Sequence, residues 1–164
     1  MKRLEREHGA GEALLKWWQD LDERRADRAI LRRAPDITAV SISAPYQRCY
    51  RRLLERDESF ESAHLRDRLA AAVGLLAHVK VDSPGVSVPE SLSARAPGDD
   101  QPAVSKLRFV RLLESPDLDS LFTGLRRALP LTGHTMNIVA LTQDLLFWGD
   151  GVKKAWAYGY RWPD

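Results

Sequence analysis

The chain has one cysteine, Cys49, and a single thiol can neither close an internal disulfide nor build a thiolate zinc site. Its four histidines, His8, His64, His78 and His134, lie in separate segments without H-x-x-x-H or H-E-x-x-H spacing, so neither a structural metal nor a cofactor is expected. No apolar run approaches the length of about 20 residues that a membrane helix needs. The opening residues M-K-R-L-E-R-E-H mix both charge signs and lack the apolar stretch of a secretory signal, so the expected compartment is the cytoplasm, without membrane association. Chemistry is equally sparse. The G-V-K-K that follows Asp150 does not complete a G-x-x-x-x-G-K phosphate loop, no G-x-S-x-G elbow occurs, and no Cys/His pair has an obvious orienting partner. The expectation is a protein that is not an enzyme. Sustained period-two alternation and hairpin turn signals are missing too, which predicts almost no sheet.

What is present is helical periodicity and arginine. At 164 residues with 44% hydrophobic composition the chain can bury a core of one ordinary domain or two small ones. The net charge is only +2, which argues against binding nucleic acid by bulk charge, but the distribution is uneven. Met1–Lys80 carries 16 basic and 13 acidic residues, Val81–Val104 carries 1 and 4, and Ser105–Asp164 carries 8 and 6. Two mildly basic halves thus flank an acidic connector rich in proline, glycine and serine, from Pro84 to Pro102. A structureless stretch of that length is unusual inside one compact domain. The predicted organisation is therefore an N-terminal helical bundle over 1–80, a linker or long loop over 81–104, and a C-terminal bundle over 105–164. The fold class is all-α, with two small helical bundles joined by that connector.

The most informative stretch is S-K-L-R-F-V-R-L-L-E-S-P, Ser105 to Pro116. Ser105 is placed to cap a helix that Pro116 cannot continue. Phe109, Leu112 and Leu113 repeat at the spacing of a buried face, while Arg108 and Arg111 are neighbours on another. Guanidinium forks on a packed helix suit bidentate phosphate contacts, although basic residues on a helix face are also what a solvated surface carries. Elsewhere Leu14, Leu15, Trp17, Trp18 and Leu21 predict an aromatic-faced helix over Gly11–Arg25, its tandem tryptophans either core or a stacking platform. Asp27 is the expected cap of a helix ending at Arg32-Arg33, whose charges also suit the negative end of a helix dipole. Ser43-Ala44-Pro45 opens another helix, on which Arg48, Arg51 and Arg52 are offset by Glu55, Asp57 and Glu58. Ser62–Val79 is apolar nearly all round toward its end and predicts a central helix, with His64 an ordinary surface side chain. In the C-terminal half Asp117 caps a helix stopped by Pro130 with Arg126 and Arg127 in its last turn, Thr135–Trp148 forms a third, and Asp150 caps a fourth. On that last helix Val152, Trp156 and Tyr160 face inward and Lys153-Lys154 outward.

These features converge on a resemblance. The chain resembles the CasB family, the small subunit of the type I-E CRISPR surveillance complex Cascade, from about Leu14 to Tyr160. The carriers are W-W at Trp17-Trp18, L-R-R-A at Leu31–Ala34, the Tyr46 to Leu53 spacing, V-S-x-x-R-F-x-R-L-L at Val104–Leu113, and L-x-x-x-L-L-F-W-G-D-x-V-K-K-x-W-A-Y-x-Y from Leu141 to Tyr160. The resemblance implies an all-α, non-catalytic subunit of an antiviral complex, present as a head-to-tail pair with a second copy of itself. Its implied partners are the repeated backbone subunit and the large subunit, the guide RNA, and target DNA including the displaced strand. The implied role is to hold nucleic-acid backbone and so stabilise the R-loop. The positive positions of the family fall on Arg32, Arg33, Arg108, Arg111, Lys153 and Lys154. Lys106 stands where many relatives carry Glu, which opens a further phosphate contact there. Arg126 and Arg127 join the candidate set as last-turn arginines. Two other readings remain open: a stand-alone helical DNA-binding regulator reading bases with Ser105–Leu113, and a purely structural scaffold whose arginines pair with neighbouring subunits.

Overall fold

The computed structural model describes residues 1–164. Ten α-helices follow one another: α1 Gly9–Asp20, α2 Arg25–Arg33, α3 Ile37–Ser41, α4 Ala44–Leu54, α5 Ala63–Leu76, α6 Val88–Leu92, α7 Lys106–Leu113, α8 Leu118–Ala128, α9 Ile138–Leu146 and α10 Asp150–Gly159. The fold is all-α but for one pair of two-residue strands, β1 Val81–Asp82 and β2 Thr135–Met136, which run parallel with Val81 opposite Thr135. None of the helices is long and apolar enough to cross a membrane.

Helix α5 lies at the centre for the reason its composition suggests. Every residue from Leu69 to Leu76 is buried, so this part of the helix must be covered on all sides, and α3, α4, α8 and α9 do so. Two of those neighbours come close because Gly74 has no side chain. A Cβ there would stand 2.8 Å from Val40 Cγ2 on α3 and 2.9 Å from Phe122 Cε2 on α8. The tandem tryptophans belong to the same core: Trp17 and Trp18 are buried, and Trp18 Nε1 donates to the Val79 carbonyl at 3.1 Å. An indole buried with its N–H satisfied is a packing element.

Most helix starts are set locally. Ser43, Ser105, Asp117 and Asn137 each accept from a backbone N–H three residues on, at Tyr46, Arg108, Ser120 and Ala140. Asp27 does not cap α2 as the sequence led us to expect. The helix begins two residues earlier, and the Asp27 carboxylate instead accepts from Arg48 Nη2 at 2.9 Å. Asp150 is likewise the first residue of α10 and not its cap, a position held by Gly149.

The segment 81–104 is ordered against the helices. Ser87 caps the short α6 and Val88, Leu92 and Val104 are fully buried. Val104 N donates to the Leu92 carbonyl at 2.8 Å, and the Tyr160 hydroxyl donates to the Val104 carbonyl at 2.7 Å. Asp82 accepts from Ile138 N at 3.1 Å and pairs with Arg6, which ties β1 to the start of α9. One buried cluster of 42 residues runs from Leu4 to Tyr160 and includes both halves of the chain and the segment between them.

Candidate nucleic-acid interface

The N-terminal cap of α7 and its buried stripe fix which way its arginines point. Phe109 and Leu112 are buried, Leu113 is half-buried, and Arg108 and Arg111 are exposed. In α8 the same logic buries Leu121, Phe122 and Leu125 and leaves Thr123 and Arg127 outside. The two helices meet closely at Gly124, where a Cβ would come within 2.7 Å of Leu112 Cδ2. Between them lies an open groove of about 1010 Å³ lined by Arg108, Arg111 and Arg127 together with the hydroxyls of Ser115, Ser120 and Thr123.

The groove carries both charge signs. Glu114, Asp117 and Asp119 cluster at the connection between α7 and α8, whereas Arg108 and Arg127 lie farther from it on each helix. Two of those carboxylates face backbone donors. Asp117 accepts from Ser120 N at 2.7 Å, and the hydrogen bonds from Ser120 hold its carboxyl below the usual range. Asp119 accepts from Ile37 N at 3.2 Å and tethers α8 to α3.

Arg126, adjacent to Arg127, points the other way. Its Nη1 donates to the Ala34 carbonyl at 2.9 Å and its Nη2 to the Arg32 carbonyl at 2.8 Å. It thereby satisfies carbonyls left open at the C-terminal end of α2. This contact holds the C-terminal end of α2, with the exposed Arg32 and Arg33, against the last turn of α8. The groove arginines Arg108, Arg111 and Arg127, together with Arg32 and Arg33 at the α2 end that Arg126 grips, are termed the arginine band. Lys106, exposed in the first turn of α7, lies outside the groove lining, as do Lys153 and Lys154 on α10. The Lys153 ammonium stands 6.0 Å from the centre of the Trp148 ring.

None of the nine candidate cations has a carboxylate within 4.0 Å. Around α1, α2 and α4 most of the other arginines are paired, Arg25 and Arg51 excepted. There Arg24 and Arg48 meet Asp27, Arg28 meets Asp22, Arg52 meets Asp20 and Arg56 meets Glu12. The neutralisation of Arg48 and Arg52 thus comes from carboxylates of other helices, not from Glu55, Asp57 and Glu58. The sequence passed over the groove hydroxyls, although Thr123 is one turn before Arg127 and the i, i+4 spacing was available.

The arginines at the α2–α8 junction are felt by a half-buried neighbour. Burial first, then the charges of Arg126 and Arg32, push the His78 imidazole down to about 4 from an ordinary value of 6.5. An imidazole neutral in the fold but basic when unfolded stabilises fully above pH 6.5 and less as pH falls toward 4. Wild-type stability should therefore decline over that window by on the order of 2 kcal/mol from this group. A His78→Asn variant titrated with urea at pH 7 and pH 4.5 should lack that share of the decline, and an unchanged difference between the two would sink the assignment.

Among family models, one described as CRISPR-associated protein Cse2 matches residues 27–160. No curated protein and no solved structure matches the chain. The matched span contains α3 through α10 and all nine candidate cations.

Proposed function

The chain belongs to the CRISPR-associated protein Cse2 family, the small subunit of the type I-E Cascade complex, and from that premise we propose that it holds nucleic-acid backbone along the arginine band. The observation that supports this reading is a groove lined by Arg108, Arg111 and Arg127 with no carboxylate within 4.0 Å of any of them, whereas Arg24, Arg28, Arg48, Arg52 and Arg56 around α1, α2 and α4 each have one. Unpaired guanidinium forks on rigid helices suit phosphate oxygens. The groove hydroxyls can add sequence-neutral hydrogen bonds to the same backbone. A single strand displaced from the target is the best-fitting occupant, because these contacts need neither a duplex groove nor base edges.

In this reading the subunit binds nucleic acid but catalyses nothing. Exchange of a DNA duplex for an RNA–DNA heteroduplex is nearly balanced in energy, so modest protein contacts to the displaced strand shift it toward the open R-loop. Within the complex the other subunits and the guide RNA position this chain, and effective concentration compensates for weak intrinsic affinity. A base-reading regulator fits less well, since α7 has eight residues and its exposed positions are Lys106, Leu107, Arg108 and Arg111, without Asn or Gln.

The test compares the complex reconstituted with and without this chain on one target duplex, following permanganate reactivity of displaced thymines over time. The expected result is a longer-lived open strand, partly shielded, when the chain is present. Equal R-loop lifetimes with equal shielding would refute the role.

A further inference from the structure

Helix α10 carries an aromatic ring that its packing does not explain. Trp156 and Tyr160 are buried on one side, while Gly151, Lys154, Ala155 and Tyr158 form the exposed stripe opposite. Tyr158 is 92% exposed, more than any other large apolar or aromatic side chain in the protein. Its neighbours one and two turns back on that stripe, Ala155 and Gly151, are too small to cover it. Four residues on, Trp162 is also exposed, but it is held in place. Its Nε1 donates to the Ala157 carbonyl at 2.8 Å, and its ring stands edge-on to Tyr160 at 5.0 Å and to Phe109 at 5.5 Å.

Asp164 follows Trp162 by two residues, but Tyr158 itself is flanked by cations. Lys154 precedes Tyr158 by one turn and Arg161 follows it, both exposed and without a carboxylate within 4.0 Å. Arg95 joins them, with Nη2 donating to the Arg161 carbonyl at 3.3 Å. An exposed ring among apolar neighbours would indicate a protein contact, whereas one set between unpaired cations matches a polyanion that also offers flat apolar faces.

We propose that Tyr158, with Trp162 further along the same end of α10, is a stacking platform for unpaired bases of a single-stranded nucleic acid whose phosphates meet Lys154 and Arg161. This rests on the proposed role in holding the displaced strand and adds to it a second kind of contact, at a place separate from the arginine groove. Stacking tolerates any base because every base has a flat face, so the platform suits a subunit that must accept any target.

The experiment uses the assembled complex bound to targets whose displaced strand carries 5-iododeoxyuridine at successive positions. Irradiation should crosslink a thymine-position base to the peptide containing Tyr158. In parallel, Tyr158→Ala should lower retention of the displaced strand about tenfold while Tyr158→Phe retains it, because the ring and not the hydroxyl carries the contact. If Tyr158→Ala changes nothing and no crosslink forms, while Arg108→Ala with Arg111→Ala still weakens retention, the platform is overturned and the groove reading stands. If neither Tyr158→Ala nor the double arginine substitution weakens retention, the groove reading fails and the platform with it. A Tyr158→Ala variant that instead drops out of the assembled complex would make the ring a protein contact and overturn the proposal.

Discussion

Replacing Arg108, Arg111 and Arg127 together with alanine is expected to lower affinity of the complex for the displaced strand about 100-fold at low salt, taking about 1 kcal/mol for each solvent-exposed ionic contact. The salt dependence is the sharper readout. Each phosphate contact to a single strand contributes about 0.7 to the slope of log affinity against log salt, so losing three should flatten that slope by about 2. Retention of the full slope would place the strand elsewhere. Stability should be nearly unchanged, because the three side chains are exposed and make no ion pair within the fold. Lysine at the same three positions should recover most of the slope but only part of the affinity, since an ammonium keeps the charge and loses the fork.

That three-residue set could not be assembled from the sequence alone. Ser105, Pro116 and the Phe109–Leu112 spacing state the limits and the buried face of α7 within a dozen residues, and the helix forms there. Where Arg127 lies relative to Arg108 is a different kind of fact. It depends on α7 and α8 closing on each other at Gly124, and nothing in the local pattern distinguishes that glycine from one at a helix break. The junction between Arg126 and α2 is still less visible, because its acceptors are the main-chain carbonyls of Arg32 and Ala34. Side-chain chemistry written in a sequence does not record which carbonyls a helix end leaves open.

Some signals were present and outweighed. Ser87, Val88, Pro89 and Glu90 have the form of a capped helix start, and Ser87 Oγ accepts from Glu90 N at 3.4 Å while donating to Glu90 Oε1 at 2.9 Å. The surrounding prolines and glycines hid it, and they also hid the burial of Val88, Leu92 and Val104. Helix α3 has five residues, too few for any periodicity to register, and only its Asp36 cap, accepting from Ala39 N at 2.8 Å, announces it. The two strands are two residues each, so alternation cannot reveal them. They exist because the exit from α5 and the entry to α9 lie side by side.

The second large effect is expected at Phe109, the residue that joins the groove to the core. Its ring is fully buried and lies against Tyr160, with centroids 4.0 Å apart and planes 7° from parallel, so α7 is seated on the end of α10. Tyr160 is in turn fixed by its hydroxyl on the Val104 carbonyl, directly before the Ser105 cap. Phe109→Ala removes the ring and leaves a cavity bordered by groups that are themselves anchored and cannot collapse into it. The cost should be about 3–5 kcal/mol. Against a total stability of about 5–15 kcal/mol this is a large share. At about 2–4 °C per kcal/mol for a chain of this size, the unfolding midpoint should drop by about 10 °C. Strand retention should fall as well, because Arg108 and Arg111 lose the seat that aims them. The pair of observables separates this variant from the arginine set: there affinity falls at constant melting temperature, whereas here both fall. Phe109→Leu, which refills much of the volume, should recover part of each. A Phe109→Ala protein that melts where the wild type does would mean that α7 is not held by this ring, and the rigidity assumed for the arginine forks would go with it.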